Sequence, residues 1–110
     1  MGDKVSTYKE FWPYYLRQHS NSLCRGLHFA GTTLAIVNLA LFLVTGSPLF
    51  LLTSLVCGYG PAWIGHFFIE KNRPATFKYP LWSLISDFRM YFMWLNGSLG
   101  RELKFSAVKE

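Results

Sequence analysis

Three histidines are the residues of this chain whose chemistry is most specific: His19, His28 and His66. Imidazole is a common ligand of iron, zinc and copper in proteins. For any one histidine alone, a hydrogen bond between helices is the more ordinary explanation. Together they favour a metal site if the fold brings them to one place, so the elements that position them decide the interpretation.

One long apolar segment separates these histidines along the chain. Between Gly26 and Ile69 no Lys, Arg, Asp or Glu occurs, and a helix crosses a bilayer with about 20 apolar residues. The segment is interrupted once, at Thr45–Pro48, where Gly and Pro favour a turn. We therefore expect a single all-α membrane domain over residues 1–110. Its centre is a helical hairpin with spans at about 27–45 and 49–69.

The basic residues support a hairpin. All eleven Lys and Arg lie outside the apolar segment, four before it and seven after it. Because basic residues collect on the cytoplasmic side of a membrane, both chain ends are expected there. The net charge of +5 is then explained by attraction to anionic lipid, and it does not indicate a nucleic-acid partner.

A hairpin returns its second span to the side where the first began. His28 lies near the start of the first span and His66 near the end of the second, so both are expected at one membrane depth. His19 precedes the first span on the same side. A break at Ser20–Ser22 allows the chain to fold so that His19 and His28 both face inward, which favours a shared metal site.

Interfacial helices are expected on both sides of the hairpin. Thr7 and Glu10 have the spacing of a capping box and predict a short N-terminal helix. Pro13 either kinks this helix or begins a later one. A third apolar segment, at about 81–95, carries Asp87 on a polar stripe with Ser83 and Ser86, which is typical of a half-immersed helix packed on the hairpin.

Small residues four apart predict how closely the two spans approach. The pairs are Gly31 with Ala35 and Gly58 with Ala62. In lipid, such spacing allows helix backbones to come close together. The pattern leaves the oligomeric state open, between a single chain and a homo-oligomer.

Charged residues near the histidines are candidates for further roles. Glu70 follows His66 by four residues, on the same helix face, and is a candidate ligand, catalytic group or hydrogen-bond acceptor for a ligand imidazole. Asp87 is a second carboxylate of this kind and a candidate substrate-binding residue. Arg25, Arg73 and Lys78 are candidates for binding an anionic head group such as a fatty acid carboxylate, although the positive-inside rule also places cations here.

Several stretches resemble the small membrane family of 2-hydroxy fatty acid dioxygenases. The longest and most specific is GYGPAWIGHFFIEKNRPATF at 58–77. Shorter ones are YLRQH at 15–19, RGLH at 25–28, YPLWSL at 79–84 and DFRM at 87–90. The resemblance covers roughly residues 8 to 95, and Gln18 stands where an acidic residue is expected.

The resemblance implies an iron(II)-dependent α-oxidation, in which a 2-hydroxy fatty acid reacts with O₂ and becomes an acid one carbon shorter. It implies iron held by His19, His28 and His66. The characterised fungal member of the family resides in the endoplasmic reticulum, whereas the shortness of this chain is typical of bacterial members. We therefore expect the bacterial inner membrane, or the endoplasmic reticulum in a eukaryote.

Other functions remain open at this point. One alternative is a non-enzymatic hairpin module that binds lipid or a protein partner, with histidines that serve helix contacts. Two histidines could instead ligate haem. A zinc hydrolase is less favoured, because no Ser or Cys nucleophile and no base other than Glu70 accompanies the histidines.

Overall fold

The structure is a computed structural model that describes residues 5–106, and the elements within this range are all helical. The α-helices are α1 (Tyr8–Arg17), α2 (Ser22–Thr45), α3 (Leu49–Ile64), α4 (Pro80–Asn96) and α5 (Leu99–Phe105). A π-helix (Gly65–Glu70) continues α3 directly, and a 3₁₀ turn (Ala75–Phe77) precedes α4. The all-α fold class is confirmed.

The helix starts agree with the capping signals in the sequence. Thr7 is the N-cap of α1 and its hydroxyl accepts a hydrogen bond from Glu10 N, while the Glu10 carboxylate accepts one from Ser6 N. Pro13 lies inside α1, which continues past it as one helix. Asn21 is the N-cap of α2, so the predicted break before the first span is confirmed.

Helices α2 and α3 pack side by side as a hairpin. Gly46 ends α2 with a φ of 75°, a left-handed conformation that favours glycine. A Cβ atom added at Gly31 would lie 2.5 Å from the carbonyl oxygen of Cys57, and one added at Gly58 would lie 3.6 Å from Ala35 Cβ. The small residues therefore allow the close approach of the two backbones that their spacing predicts.

One helix of the described residues is long and apolar enough to cross a membrane. This is α2, in which 17% of the most apolar window is buried inside the protein. The second predicted span, at about 49–69, is divided between α3 and the π-helix.

The densely packed part of the molecule lies at the open end of the hairpin. Aromatic side chains of α1 pack against α4, as in the contact of Phe11 with Trp82 at 5.6 Å between ring centroids. The polar stripe of α4 faces this interior: Ser83 and Ser86 are buried, and their hydroxyls contact those of Thr76 and Tyr8. Other buried residues of this core are Trp12, Tyr15, Leu16, Phe29, Met90, Tyr91, Leu99 and Leu103.

We predict that Gly31→Ala destabilises the fold and Gly26→Ala does not. The added methyl group at Gly31 meets a backbone oxygen at 2.5 Å, whereas a Cβ at Gly26 meets nothing within 4 Å. Overpacking of this kind costs about 1–3 kcal/mol, while Gly→Ala in an open helix position gains up to about 1 kcal/mol. Thermal unfolding in detergent measures the difference, and equal melting temperatures would contradict the packing described here.

Candidate metal centre

The three histidines converge at one buried point. His19 Nε2 lies 3.0 Å from His28 Nε2 and 3.0 Å from His66 Nε2. Each side chain is at most 5% exposed, and the three possible ligand atoms lie within 4.8 Å of one another. The predicted convergence is confirmed, and the cluster can hold a metal ion.

Backbone carbonyls fix the protonation of two of these rings. His19 Nδ1 lies 2.7 Å from the carbonyl oxygen of Tyr15, and His28 Nδ1 lies 2.9 Å from that of Cys24. A carbonyl oxygen only accepts hydrogen bonds, so both Nδ1 atoms carry the proton. In the neutral ring, Nε2 is then an unprotonated atom with a lone pair.

An amide fixes the third ring in the same way. His66 Nδ1 lies 2.7 Å from Asn72 Oδ1. Asn72 Nδ2 lies 3.2 Å from the carbonyl oxygen of Gln18. Because that oxygen can only accept a hydrogen bond, the NH₂ group of Asn72 must face Gln18 and the amide oxygen must face His66. His66 Nδ1 therefore donates, and its Nε2 also carries a lone pair.

Three lone pairs within 4.8 Å of one another repel unless a cation lies between them. A proton is disfavoured on His19, because burial lowers the pKa of this ring well below its ordinary value and the neighbouring His28 and His66 lower it further. Neutral imidazole is the form that binds metal ions. The donor set thus fits a metal ion better than it fits hydrogen bonds between the rings.

A change of helix type places His66 in the cluster. The wider π-turn begins at Gly65, where an added Cβ would lie 2.8 Å from Cys24 Sγ. Glycine therefore allows the second helix to approach α2 at the level of His28. The π-helix ends at Lys71, whose φ of 58° is left-handed, and this reversal brings Asn72 back to His66.

Hydrogen bonds with Arg25 and Glu70 hold the loop that carries His19. Arg25 Nη1 donates to the carbonyl oxygens of His19 at 2.7 Å and Ser20 at 3.1 Å. The Glu70 carboxylate accepts from Asn21 N at 2.6 Å and from Ser20 Oγ at 3.2 Å. Arg25 and Glu70 thus both form hydrogen bonds with the backbone of this loop. Glu70 does not belong to the group of three histidines whose ligand atoms converge.

A small cavity lies against the three imidazoles. Its volume is about 10 Å³, close to that of one water molecule or ion. Thr76, Ser83 and Asp87 provide polar side chains to its lining, and Tyr59 and Trp63 also contribute. Asp87, a predicted substrate-binding residue, is therefore next to the histidines.

Asp87 is linked to the cluster through Tyr15. The Tyr15 hydroxyl donates to the Asp87 carboxylate, and the Tyr15 ring lies 4.1 Å from the His19 ring between centroids. Burial raises the pKa of Asp87 to about 7, although the hydrogen bond from Tyr15 acts in the opposite direction. Near neutral pH this carboxyl group can therefore either accept or donate a hydrogen bond.

The other predicted head-group residues lie outside the cavity lining. Arg73 is exposed and lines a separate surface groove with Lys71 and Phe68. Lys78 is also exposed, with its ammonium group 5.9 Å from the centroid of the Tyr79 ring.

A family model described as Mpo1-like, 2-hydroxy-palmitic acid dioxygenase Mpo1-like, matches residues 5–99. The chain belongs to the Mpo1-like family. No curated protein and no solved structure matches it. The matched range contains all three histidines of this Mpo1-like chain and each side chain that contacts them in the structure.

Asn72 and Tyr15 are site residues that sequence reasoning missed. The left-handed residue at the end of the π-helix is Lys71 and not Asn72, so the preference of Asn for that conformation does not identify Asn72. The carbonyl groups of Tyr15 and Cys24 carry no sequence signal, because any residue type provides them. They are nevertheless four residues before His19 and His28, one helical turn away.

We predict that metal binding requires each histidine and does not require the Glu70 charge. His19→Ala, His28→Ala and His66→Ala each remove one of three ligands, so metal content should fall from near one ion per chain to near zero. Glu70→Gln keeps an oxygen for the loop and should retain the metal. Elemental analysis of protein purified without chelator, with an absorption spectrum to detect haem, makes the measurement.

A wild type without metal would contradict the site. Loss of metal from Glu70→Gln with its fold intact would contradict the expectation that the Glu70 charge is not required.

Proposed function

We propose that this protein is an iron(II)-dependent dioxygenase that shortens 2-hydroxy fatty acids by one carbon. The observation that carries the proposal is the convergence of three Nε2 lone pairs at one buried point. Membership of the Mpo1-like family supports the reaction class. A non-enzymatic hairpin would have no need for three buried rings held in the ligating tautomer.

His19, His28 and His66 would hold the iron, which supplies O₂ activation when bound. Three protein ligands leave room in an octahedral shell for substrate and O₂. The overall reaction balances as 2-hydroxy acid and O₂ giving the shortened acid, CO₂ and water. The protein contributes the position of the reactants and the exclusion of bulk water.

The polar side of the cavity is the proposed site for the substrate head group. Thr76 and Ser83 offer hydroxyl groups there, and their oxygens are 3.1 Å apart. As a carboxylate, Asp87 can accept a hydrogen bond from the 2-hydroxyl group, and as an acid it can donate one to the substrate carboxylate. Because the cavity holds about one water molecule, binding a head group requires it to widen.

The outer basic residues are proposed to attract the anionic substrate rather than to fix it. Arg73 and Lys78 are exposed. Exposed charges mainly speed the approach of an oppositely charged ligand, and salt screens this attraction. Arg25 and Glu70 are proposed to position the loop that carries His19, because both form hydrogen bonds with its backbone and Glu70 also accepts one from Ser20 Oγ.

We expect product formation to depend on the metal ligands. Purified, iron-loaded protein given a 2-hydroxy fatty acid and O₂ should yield the acid one carbon shorter, and His66→Ala should yield at least about 100-fold less, since a ligand to the metal is removed. Mass spectrometry of the lipid products measures this. Arg101→Ala, an exposed change away from the cavity, is the matched control.

Three outcomes would reject the proposed activity. The first is a wild type that holds iron but forms no shortened acid. The second is a product yield from His66→Ala equal to that of wild type, and the third is an equal yield from wild type with and without O₂.

A membrane location with two spans and both termini in the cytoplasm is also proposed. A core helix of a soluble protein is mostly buried, whereas α2 is 17% buried over its apolar window. Large side chains such as Val44 and Leu55 are 83% and 60% exposed, which suits contact with lipid. The acyl chain of the substrate would then remain in the bilayer while its head group reaches the histidines.

We predict that the hairpin turn and the C-terminal helix label from opposite sides of the membrane. Ser47→Cys lies in the turn and Lys104→Cys is exposed on α5. In right-side-out vesicles, an impermeant maleimide should label Cys at 47 directly and Cys at 104 only after permeabilisation. Wild type reports any reaction of Cys24 and Cys57, and labelling of both sites from one side would contradict two spans.

A further inference from the structure

Asn72 connects His66 to Gln18, the residue that immediately precedes His19. Its amide oxygen lies 2.7 Å from His66 Nδ1, and its NH₂ group lies 3.2 Å from the Gln18 carbonyl oxygen and 3.1 Å from Gln18 Oε1. Its backbone N–H donates to the His66 carbonyl oxygen at 2.9 Å. Gln18 immediately precedes His19, so one side chain connects the end of α1 to the π-helix.

The direction of these hydrogen bonds determines the chemistry of His66. The Gln18 carbonyl cannot donate, so it orients the amide of Asn72 with its oxygen towards His66. The oxygen in turn requires the proton on His66 Nδ1 and leaves the Nε2 lone pair directed at the cluster. In His19 and His28, the Nδ1 proton is fixed in the same way by a backbone carbonyl oxygen four residues earlier in the chain. For His66, a side chain has this role and can be replaced.

We propose that Asn72 is a positioning residue that fixes both the tautomer and the orientation of His66 as a metal ligand. This inference rests on the proposed metal centre. A hydrogen-bond acceptor on the outer nitrogen of a ligating imidazole raises its basicity and holds the ring, and loss of such a partner typically costs about 10- to 100-fold in metal affinity.

Co²⁺ is the probe, because its d–d absorption reports both binding and ligand geometry. Asn72→Leu removes donor and acceptor at similar size, and its dissociation constant for Co²⁺ should rise by about 10- to 100-fold. Asn72→Asp keeps an oxygen for His66 Nδ1. The carboxylate is the stronger acceptor for His66 Nδ1, whereas its second oxygen cannot donate to the Gln18 oxygens. We therefore expect Asn72→Asp to bind Co²⁺ about as tightly as wild type, with a shifted d–d band.

Gln18→Ala is the matched control. It removes the side-chain acceptor of the Asn72 NH₂ group but keeps the backbone carbonyl acceptor. Its affinity for Co²⁺ should therefore stay within about 3-fold of wild type, a smaller loss than the one expected for Asn72→Leu. Thermal unfolding of every variant separates loss of metal from loss of fold.

The outcomes distinguish this inference from the proposed function. If wild type binds no Co²⁺, the metal centre itself is wrong. If wild type binds and Asn72→Leu binds equally well, Asn72 has no positioning role. Should the leucine variant fail to fold, Asn72→Asp decides: a retained affinity with a shifted band supports the role, and a large loss or an unchanged band overturns it.

Discussion

Three unprotonated ring nitrogens directed at one buried point constrain everything around them. Each Nε2 has a lone pair because the opposite nitrogen of its ring donates to a carbonyl or amide oxygen. Burial removes the water that would otherwise solvate these atoms. The repulsion would be relieved once a metal ion lay between them, and the cluster can hold such an ion. The surrounding fold must hold the rings in place until then.

The rings are held in place mainly by hydrogen bonds and close contacts between loops and helix ends, and less by a large core. Arg25 and Glu70 bind the backbone between α1 and α2, and Asn72 joins α1 to the π-helix. Helix α2 and the following helix touch closely here because Gly65 has no side chain. The contacts of Glu70, Asn72 and Gly65 join segments far apart in sequence, so they form only when the hairpin has closed.

The overall arrangement could be predicted because it depends on periodicity and chain reversal. The hairpin turn and the break before α2 follow from the positions of Gly, Pro and polar residues, and they bring His19, His28 and His66 together. The polar stripe of α4 is also visible in the spacing, but its burial in the interior is not. The details of the site could not be predicted in the same way. A π-helix and a left-handed Lys71 are local responses to packing, and they decide that Asn72, rather than Glu70, is the partner of His66.

The position of the cluster along α2 also follows from where the molecule has a core. The buried residues of α2 all lie between Cys24 and Thr32, and Phe29 among them belongs to the core that the aromatic side chains of α1 and α4 form. Beyond this point the hairpin leaves its large apolar side chains exposed. The histidines therefore lie at the boundary between a dense interior and an apolar outer surface. A site deeper in the hairpin would lack the groups that orient the rings, and one further out would be open to water, so this boundary is where a polar head group and an apolar chain can both be accommodated.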